Sequence, residues 1–302
     1  MMNNTLNVLH INIQSIKSPQ KQLELNNYMI KKNISICSIN ETFLNSKLSF
    51  KCKNYIIYRK DRYGSSHGGV ALLVDARLDA SLVDLPTDLD KHEMIAVKLR
   101  LGMGSILVFS LYVPPGIPLS GHIFTRVSDL SKGEPFMVLG DLNATSPVWF
   151  CPYVNDKGKV LEAAVEQNRL HIINNHVPTF SRSKNVLDLA ICSESLITKI
   201  NNFNVDLSCH ITSDHFPITF SLNLNNTFVK SRKIINWIRY AQNLDTNTES
   251  RSRTNTKQHQ TQLILNQPIS HQTHNQHEGK SHSSYIQSLK FEQPTCQNPH
   301  TT

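Results

Sequence analysis

Residues 94–115 read Met94-Ile-Ala-Val-Lys-Leu-Arg-Leu101, Gly102-Met-Gly104, Ser105-Ile-Leu-Val-Phe-Ser-Leu-Tyr112, Val113 and Pro114-Pro115. The first arm alternates apolar residues with others, as a strand with one covered face does. The glycines supply a hairpin turn into a second strand. The paired prolines end it, because proline cannot donate to a ladder. Working outward, Leu6-Asn-Val-Leu-His-Ile-Asn12 alternates in the same way. Apolar runs of strand length recur at 34–39, 55–58, 70–74 (after Gly68-Gly69), 136–139, 187–192 and 218–222. Helices are predicted at 19–32, with Pro19 at the first position, and at 120–130 and 156–167. Many strands and few helices predict an α+β fold, a four-layered α/β-sandwich of two mixed β-sheets flanked by helices.

The chain has 302 residues, with 31 Lys or Arg against 23 Asp or Glu, a formal net charge of +8. The charge is unevenly placed. Residues 1–228 carry a net +3, residues 229–240 a net +4, and the remainder +1. The last stretch is rich in Asn, Gln, His, Ser and Thr and too poor in apolar surface to offset ordering entropy. The expected organisation is one domain over 1–228, a basic linker over 229–240, and a low-complexity, disordered tail over 241–302. No run of about 18 apolar residues is present, so no membrane helix is expected. The start of the chain lacks a secretory signal pattern. The six cysteines are scattered without a C-x-x-C pair, and Cys37 and Cys192 lie in apolar runs, which reads as buried thiols. Together these place the protein in the nucleus or cytoplasm rather than outside the cell.

Polar residues that strand formation does not explain fall at strand ends. Asn12 ends the first strand, Glu41 follows the second, Asp141 and Asn143 follow a short apolar strand, and Ser213-Asp214-His215 precedes the last. Each alone also reads as a turn residue or a solvated loop group. Strand ends of a sandwich gather at one rim, so as a set these residues can share a cleft. The positive balance hints at an anionic partner such as nucleic acid, whose phosphodiester is hard to attack, because its oxygens repel nucleophiles and its leaving alkoxide is basic. Glu41, with Asn12 beside it, is the best candidate to hold a divalent cation through hard oxygens. Asp141 is placed to deprotonate a water, Asn143 to donate to a phosphate oxygen, and a protonated His215 to stabilise developing charge.

The ordered set Asn12, Glu41, Tyr112-Val-Pro-Pro115, Gly140-Asp-Leu-Asn143, Leu187-Asp-Leu189 and Ser213-Asp-His215 resembles the endonuclease/exonuclease/phosphatase superfamily. Within it, His10-Ile-Asn-Ile-Gln-Ser-Ile16, Tyr58-Arg-Lys-Asp-Arg62, Gly68-Gly-Val-Ala71 and Val177-Pro-Thr-Phe180 resemble the apurinic-like endonuclease domain of non-LTR retrotransposons of the jockey kind. The resemblance spans about residues 6–224. It implies a DNase I-like fold and a Mg²⁺-dependent DNA endonuclease, Mn²⁺ substituting, that leaves a 3′-hydroxyl. It also implies that Asp188 holds the His215 ring, that Asp214 lies near the metal, and that Tyr112 contacts the scissile phosphate. Arg59, Arg62, Thr179, Phe180 and Arg182 are the expected DNA contacts. The chain carries no Tyr-x-Asp-Asp polymerase signature, so its expected partners are DNA and the reverse transcriptase part of the same element, with the protein itself a monomer. Two alternatives stand beside this reading: a same-fold phosphoesterase acting on a small phosphate ester, and an inactive DNA-binding remnant.

Overall fold

The computed structural model describes residues 5–102 and 104–224. The expected linker and tail lie outside the described residues. The strands are β1 (Thr5–Asn12), β2 (Ile36–Asn40), β3 (Tyr55–Lys60), β4 (Val70–Asp75), β5 (Asp79–Leu82), β6 (Glu93–Leu101), β7 (Gly104–Tyr112), β8 (Phe136–Asp141), β9 (Leu170–Ile173), β10 (Asp188–Ser193), β11 (Ile200–Val205) and β12 (Ile218–Asn223). The helices are α1 (Pro19–Lys31), α2 (Thr87–Asp90), α3 (His122–Ser131), α4 (Asp156–Gln167) and α5 (Glu194–Ile197). Two six-stranded sheets form, in the orders β11-β12-β1-β2-β4-β3 and β5-β6-β7-β8-β10-β9. Each holds one parallel pair, β1–β2 and β7–β8, among antiparallel neighbours.

Period-two alternation sorts the side chains into three apolar layers. Val8, Ile36, Leu72, Val97, Val108, Leu139 and Ala190 pack between the sheets. Leu9, Ile11, Cys37, Ile39 and Ala71 face outward under Leu25 and Met29 of α1. Phe109, Leu111, Val138 and Leu189 face outward from the second sheet under Phe124 of α3 and Leu161 of α4. The result is the expected helix–sheet–sheet–helix stack. Helix α1 starts where the sequence places it: the Ser18 side chain accepts from the Lys21 backbone N–H at 3.2 Å, and Pro19 follows. Cys37 and Cys192 are buried free thiols. Among the described residues no helix is long and apolar enough to cross a membrane.

Three strands escape the sequence reading: β5, β9 and β11. Each is a sheet edge, where one side of the strand has no neighbour among the described residues. Sequences such as Asn201-Asn-Phe-Asn204 are therefore tolerated there.

The layer between the sheets changes character along its length. On β1 the inward face runs Leu6, Val8, His10, Asn12; on β2 it runs Ile36, Ser38, Asn40; on β7 Val108, Ser110, Tyr112; on β8 Leu139, Asp141; and on β10 Ala190, Asp188. Five strands thus turn polar at the same end. The face opposite Asp141 is sealed by Gly140, where a Cβ would stand 1.8 Å from the Leu111 carbonyl oxygen.

Two stability predictions follow from this packing. Gly140→Ala must displace backbone rather than a flexible side chain, and is expected to cost about 3 kcal/mol, the upper end of overpacking effects; an unchanged denaturation midpoint would contradict the packing. Asp206, just after the edge strand β11, ties α1 to the first sheet, accepting from Tyr28 Oη at 2.8 Å, Ser208 Oγ at 2.6 Å and Lys32 Nζ at 3.0 Å. Burial alone would raise its pKa, but the Ser208, Lys32 and Tyr28 contacts outweigh burial and hold the carboxyl at about 2. Because the folded value is depressed, this stabilisation is present above the unfolded value of about 3.9 and fades as pH falls toward 2. Asp206→Asn is expected to cost about 1–2 kcal/mol at pH 7, with the gap from the parent closing below pH 4. A gap that persists at pH 2 would rule out the charged contacts as its source.

Candidate active site at the polar end of the sandwich

Asp141 and Asp188 are cross-strand partners on β8 and β10, so two carboxylates meet in a place where each is about 1% exposed. Like charges this close cannot both ionise without help. Help is unequal. Asp188 Oδ2 meets His215 Nδ1 at 2.7 Å, and its Oδ1 lies 3.3 Å from His10 Nε2, a close contact off the hydrogen-bond direction. Burial acts to raise the Asp188 pKa, but His215 and His10 overcome it and hold the carboxyl well below the usual range. Asp141 is pushed the other way, to about 7, first by burial and then by the Asp188 charge. For His215, burial works to lower the pKa, yet the Asp188 charge and hydrogen bond, with Asp141 and Asp214, raise it to about 9. The arrangement separates an acid form on the histidine from a carboxyl poised near neutrality.

Asn12 links this pair to Glu41. Its amide nitrogen donates to Asp141 Oδ2 and to Glu41 Oε1, each at 2.9 Å, while its oxygen accepts from the Gln14 backbone at 3.2 Å. Glu41 Oε1 also accepts from Tyr112 Oη at 2.6 Å. Glu41 itself sits at φ 54°, a left-handed conformation costing a glutamate on the order of 1–3 kcal/mol. Neighbouring bonds hold it there: Ser15 N–H donates to its carbonyl at 2.8 Å, and Thr42 and Phe43 N–H donate to the Gly69 and Gly68 carbonyls at 3.2 and 2.8 Å. Both glycines have φ above +80°, so the Gly68-Gly69 pair is required by the backbone it supports. Asn143, at φ 49°, donates its backbone N–H to Asp141 Oδ1 at 3.0 Å and one amide hydrogen to the Val113 carbonyl at 3.1 Å. Its second amide hydrogen remains to be offered to a ligand.

Asp214 joins from the last loop. Its Oδ2 pairs with Arg182 at 3.0 Å, its Oδ1 stands 3.9 Å from His215 Nε2, and that Oδ1 is buried without a hydrogen-bond donor. Among the described residues, no three His, Cys, Asp or Glu side chains converge to hold a metal unaided. The donor set nevertheless fits a hard cation of the Mg²⁺ kind, which takes one or two carboxylates and leaves its other positions to water and phosphate. Glu41 Oε2 has no donor among the described residues, and the orphaned Asp214 Oδ1 is a second hard oxygen. The nitrogen of Asn12, not its oxygen, faces the acids, because two carboxylates draw the N–H groups toward them.

The expected DNA contacts divide. Arg182 is 71% exposed at the rim. Arg62 is bound to Glu93, with its guanidinium 5.8 Å from the centre of the Tyr112 ring. Arg59 is engaged by the Leu48 and Asn45 carbonyls and by Asp61. Thr179 is fully buried and cannot touch DNA. Its hydroxyl accepts from the Leu187 and Asp188 backbone at 3.0 Å each, which fixes the start of β10. Phe180 does not tip a free hairpin: it bridges to His215 in the backbone and packs its ring 4.9 Å from the imidazole. Trp149 is a core residue beneath the second sheet.

The sequence reading missed the support beneath the site. Asp141 N–H donates to Asn40 Oδ1 at 2.7 Å, Asn40 donates to Ser110 Oγ at 3.2 Å, Ser110 takes Ser38 Oγ at 2.9 Å, and Ser38 meets His10 Nδ1 at 2.9 Å. All five side chains are buried. The available signal was polarity at positions where alternation demands a core residue.

A sandwich of two mixed sheets flanked by helices is the DNase I-like fold that the sequence resemblance implied. Residues 106–219 match the family model described as endonuclease-reverse transcriptase. The chain is 25% identical over 199 residues to the RNA-directed DNA polymerase from mobile element jockey of Drosophila melanogaster, covering 65% of this chain and 21% of that protein. It is 22% identical to the corresponding Drosophila funebris protein, covering 66% and 22%. The chain thus spans about a fifth of the length of these curated relatives. Among solved structures, the endonuclease domain of TRAS1, a telomere-specific non-LTR retrotransposon, superposes with a TM-score of 0.61 at 22% identity, covering 73% of this chain and 99% of that one. The AP endonuclease LMAP of Leishmania major gives 0.58 at 13% identity, covering 72% and 87%. In fold and sequence the chain is similar to a retrotransposon endonuclease domain.

The His215–Asp188 contact is testable directly. With Asp188→Asn the largest opposing charge and its hydrogen-bonded partner are gone while burial, Asp141 and Asp214 remain, so the His215 pKa is expected to fall from about 9 toward its ordinary value, read by NMR titration. Since the folded value is raised, the parent's extra stability is present below about pH 6.5 and is lost as pH rises through 9. The stability gap between parent and variant should close over that window. A His215 pKa that stays near 9 contradicts the pairing.

Proposed function

We propose that residues 5–224 form a divalent-metal-dependent DNA endonuclease that hydrolyses one strand to a 3′-hydroxyl and a 5′-phosphate. The observation that carries this reading is the convergence of Asp141, Asp188, His215, Asn12 and Glu41 at one end of the sandwich, with His215 2.7 Å from Asp188 and 3.9 Å from Asp141 and Asn12 bridging Asp141 to Glu41. Glu41 and Asp214 would hold the cation, and its chemistry there would be to neutralise phosphate charge and ease departure of the leaving oxygen. Asp141 accepts the proton of the attacking water, a role suited to a pKa near the working pH. Asn12 and the Asn143 backbone N–H fix the Asp141 carboxylate in one orientation. Protonated His215, held by Asp188, donates from Nε2 to a phosphoryl oxygen as charge builds. The Asn143 amide and the Tyr112 hydroxyl, now on Glu41, are the further donors a phosphate would meet. The similarity to jockey proteins supports a role as the target-nicking part of a mobile element, acting with a reverse transcriptase.

Purified protein with supercoiled plasmid and Mg²⁺ or Mn²⁺ is expected to produce open circles whose 3′ ends a DNA polymerase extends directly. Chelation should stop nicking, and Asp141→Ala or His215→Ala should slow it by at least about 10². Absence of nicking by the parent with either metal, or rates in both variants equal to the parent's, sinks the reading. Release of phosphate from soluble phosphoesters without nicking would instead favour the small-ester alternative.

A further inference from the structure

Lys157, in the first turn of α4, is the one lysine or arginine that is buried among the described residues, at 8% exposure. A buried ammonium is costly unless its protons find acceptors. Its acceptors are two backbone carbonyls: Nζ donates to Pro114 and, at 3.4 Å, to Val113. The Val113 carbonyl also accepts the Asn143 amide at 3.1 Å, and Val113 N–H donates to the Asp141 carbonyl at 3.0 Å. Two residues earlier, Asn155 caps α4. Its Oδ1 accepts from Gly158 N–H at 2.8 Å and from Thr145 N–H at 3.1 Å, and its Nδ2 donates to the Asn143 carbonyl at 2.9 Å. Gly158 closes the contact, since a Cβ there would stand 1.9 Å from the Thr145 carbonyl oxygen. The short sequence Asn155-Asp-Lys-Gly158 thus grips both segments that border Asp141, residues 113–114 and residues 143–145.

We propose that Lys157 and Asn155, with Gly158 between helix and loop, are positioning residues for the nicking reaction, which aim the free amide hydrogen of Asn143 at the phosphate; the proposal rests on the DNA endonuclease reading above. Asn143 sits at φ 49°, a conformation that asparagine tolerates but that its surroundings must hold. One of its amide hydrogens is on the Val113 carbonyl. The amide group is planar, so the position of that carbonyl sets the direction of the second hydrogen. Lys157 in turn sets the carbonyl. Pro114 and Pro115 have no N–H groups, so beyond Val113 this stretch can be anchored only through its carbonyls. An ammonium, with three donors, anchors two of them at once. Asn155 grips the same asparagine from its main-chain side. Asn143 is therefore held at its backbone by Asn155 and at its side chain, through Val113, by Lys157. An apolar side chain of similar length would fill the space without the desolvation cost of an ammonium, but would leave both carbonyls free to turn. A donor displaced by even 1 Å from a reacting phosphate loses much of its effect on rate.

The test uses the full chain and two substitutions. Lys157→Met keeps the side-chain length and removes the donors. Asn155→Asp keeps the oxygen that accepts from Gly158 and Thr145 and removes only the donor to Asn143, so it carries the test should Lys157→Met fail to fold. Each is expected to lower the kcat of nicking, per folded molecule, about ten-fold or more, with KM nearly unchanged. In an Asn143→Ala background Lys157→Met should have almost no further effect on kcat, because it acts through the amide already lost. In the protein without metal or DNA, the side-chain amide NMR signals of Asn143 should move in both variants. Folded variants with the parent's kcat, a Lys157→Met loss that persists in full beside Asn143→Ala, or amide signals that stay in place overturn the proposal and leave the contacts a structural part of the fold. A parent that nicks no DNA overturns the endonuclease reading instead. The amide signals, read without metal or DNA, then still show whether Lys157 and Asn155 set the Asn143 side chain, so the two failures are distinct.

Discussion

A single buried carboxylate, Asp188, holds the site together. It stands between His10 on β1 and His215 on the closing loop, opposite Asp141 on the neighbouring strand. A charge in that position is tenable only with its cationic partner. The partner in turn brings the last loop against both sheets. Thr179 fixes the Asp188 backbone, Phe180 packs on the His215 ring, and Ser213 Oγ donates to the Asn12 carbonyl at 2.6 Å. Fold and site are therefore not separable at this end: the ion pair that shapes the chemistry also docks the loop.

Much of this was legible in the sequence, and the reason is the strictness of alternation. The strands flanking the hairpin at 94–112 show their register plainly, because one face meets the other sheet and the second meets helices. The strand-end polar set, Asn12, Glu41, Asp141, Asn143 and Ser213-Asp214-His215, was readable as an ordered series because each falls where an apolar run ends or is about to begin, whereas Asp188 was marked only by the family resemblance. What stayed hidden had physical causes. The edge strands β5, β9 and β11 carry polar residues that an unpaired side permits. His10, Ser38 and Ser110 sit mid-strand, where a lone polar residue looks like noise until three such strands are brought into contact. Thr179 and Arg59 were read as DNA contacts because loop position in sequence does not reveal whether a side chain turns inward to a backbone group.

Net charge proves a poor guide to what this site handles. The segment containing the cluster carries only a mild positive excess, and its decisive charges are mostly negative. Their effect depends on pairing. The same low-exposure setting that drives Asp141 toward neutrality keeps Asp188 ionised, the difference being two imidazoles within 3.3 Å. Sequence composition has no access to that asymmetry.

The bond between Ser213 and the Asn12 carbonyl joins residues 201 positions apart, and β1 pairs with β12, the last described strand. The two ends of the domain thus meet at the chemistry. Such a topology postpones closure: long-range pairing must wait for most of the chain to be present and partly ordered. During synthesis the N-terminal strands emerge with Asn12 and Glu41 in place but no histidine to complete them. The nascent chain therefore lacks the complete acid–histidine cluster, and any break that separates the first strand from the last loop removes the histidine from the acids it pairs with.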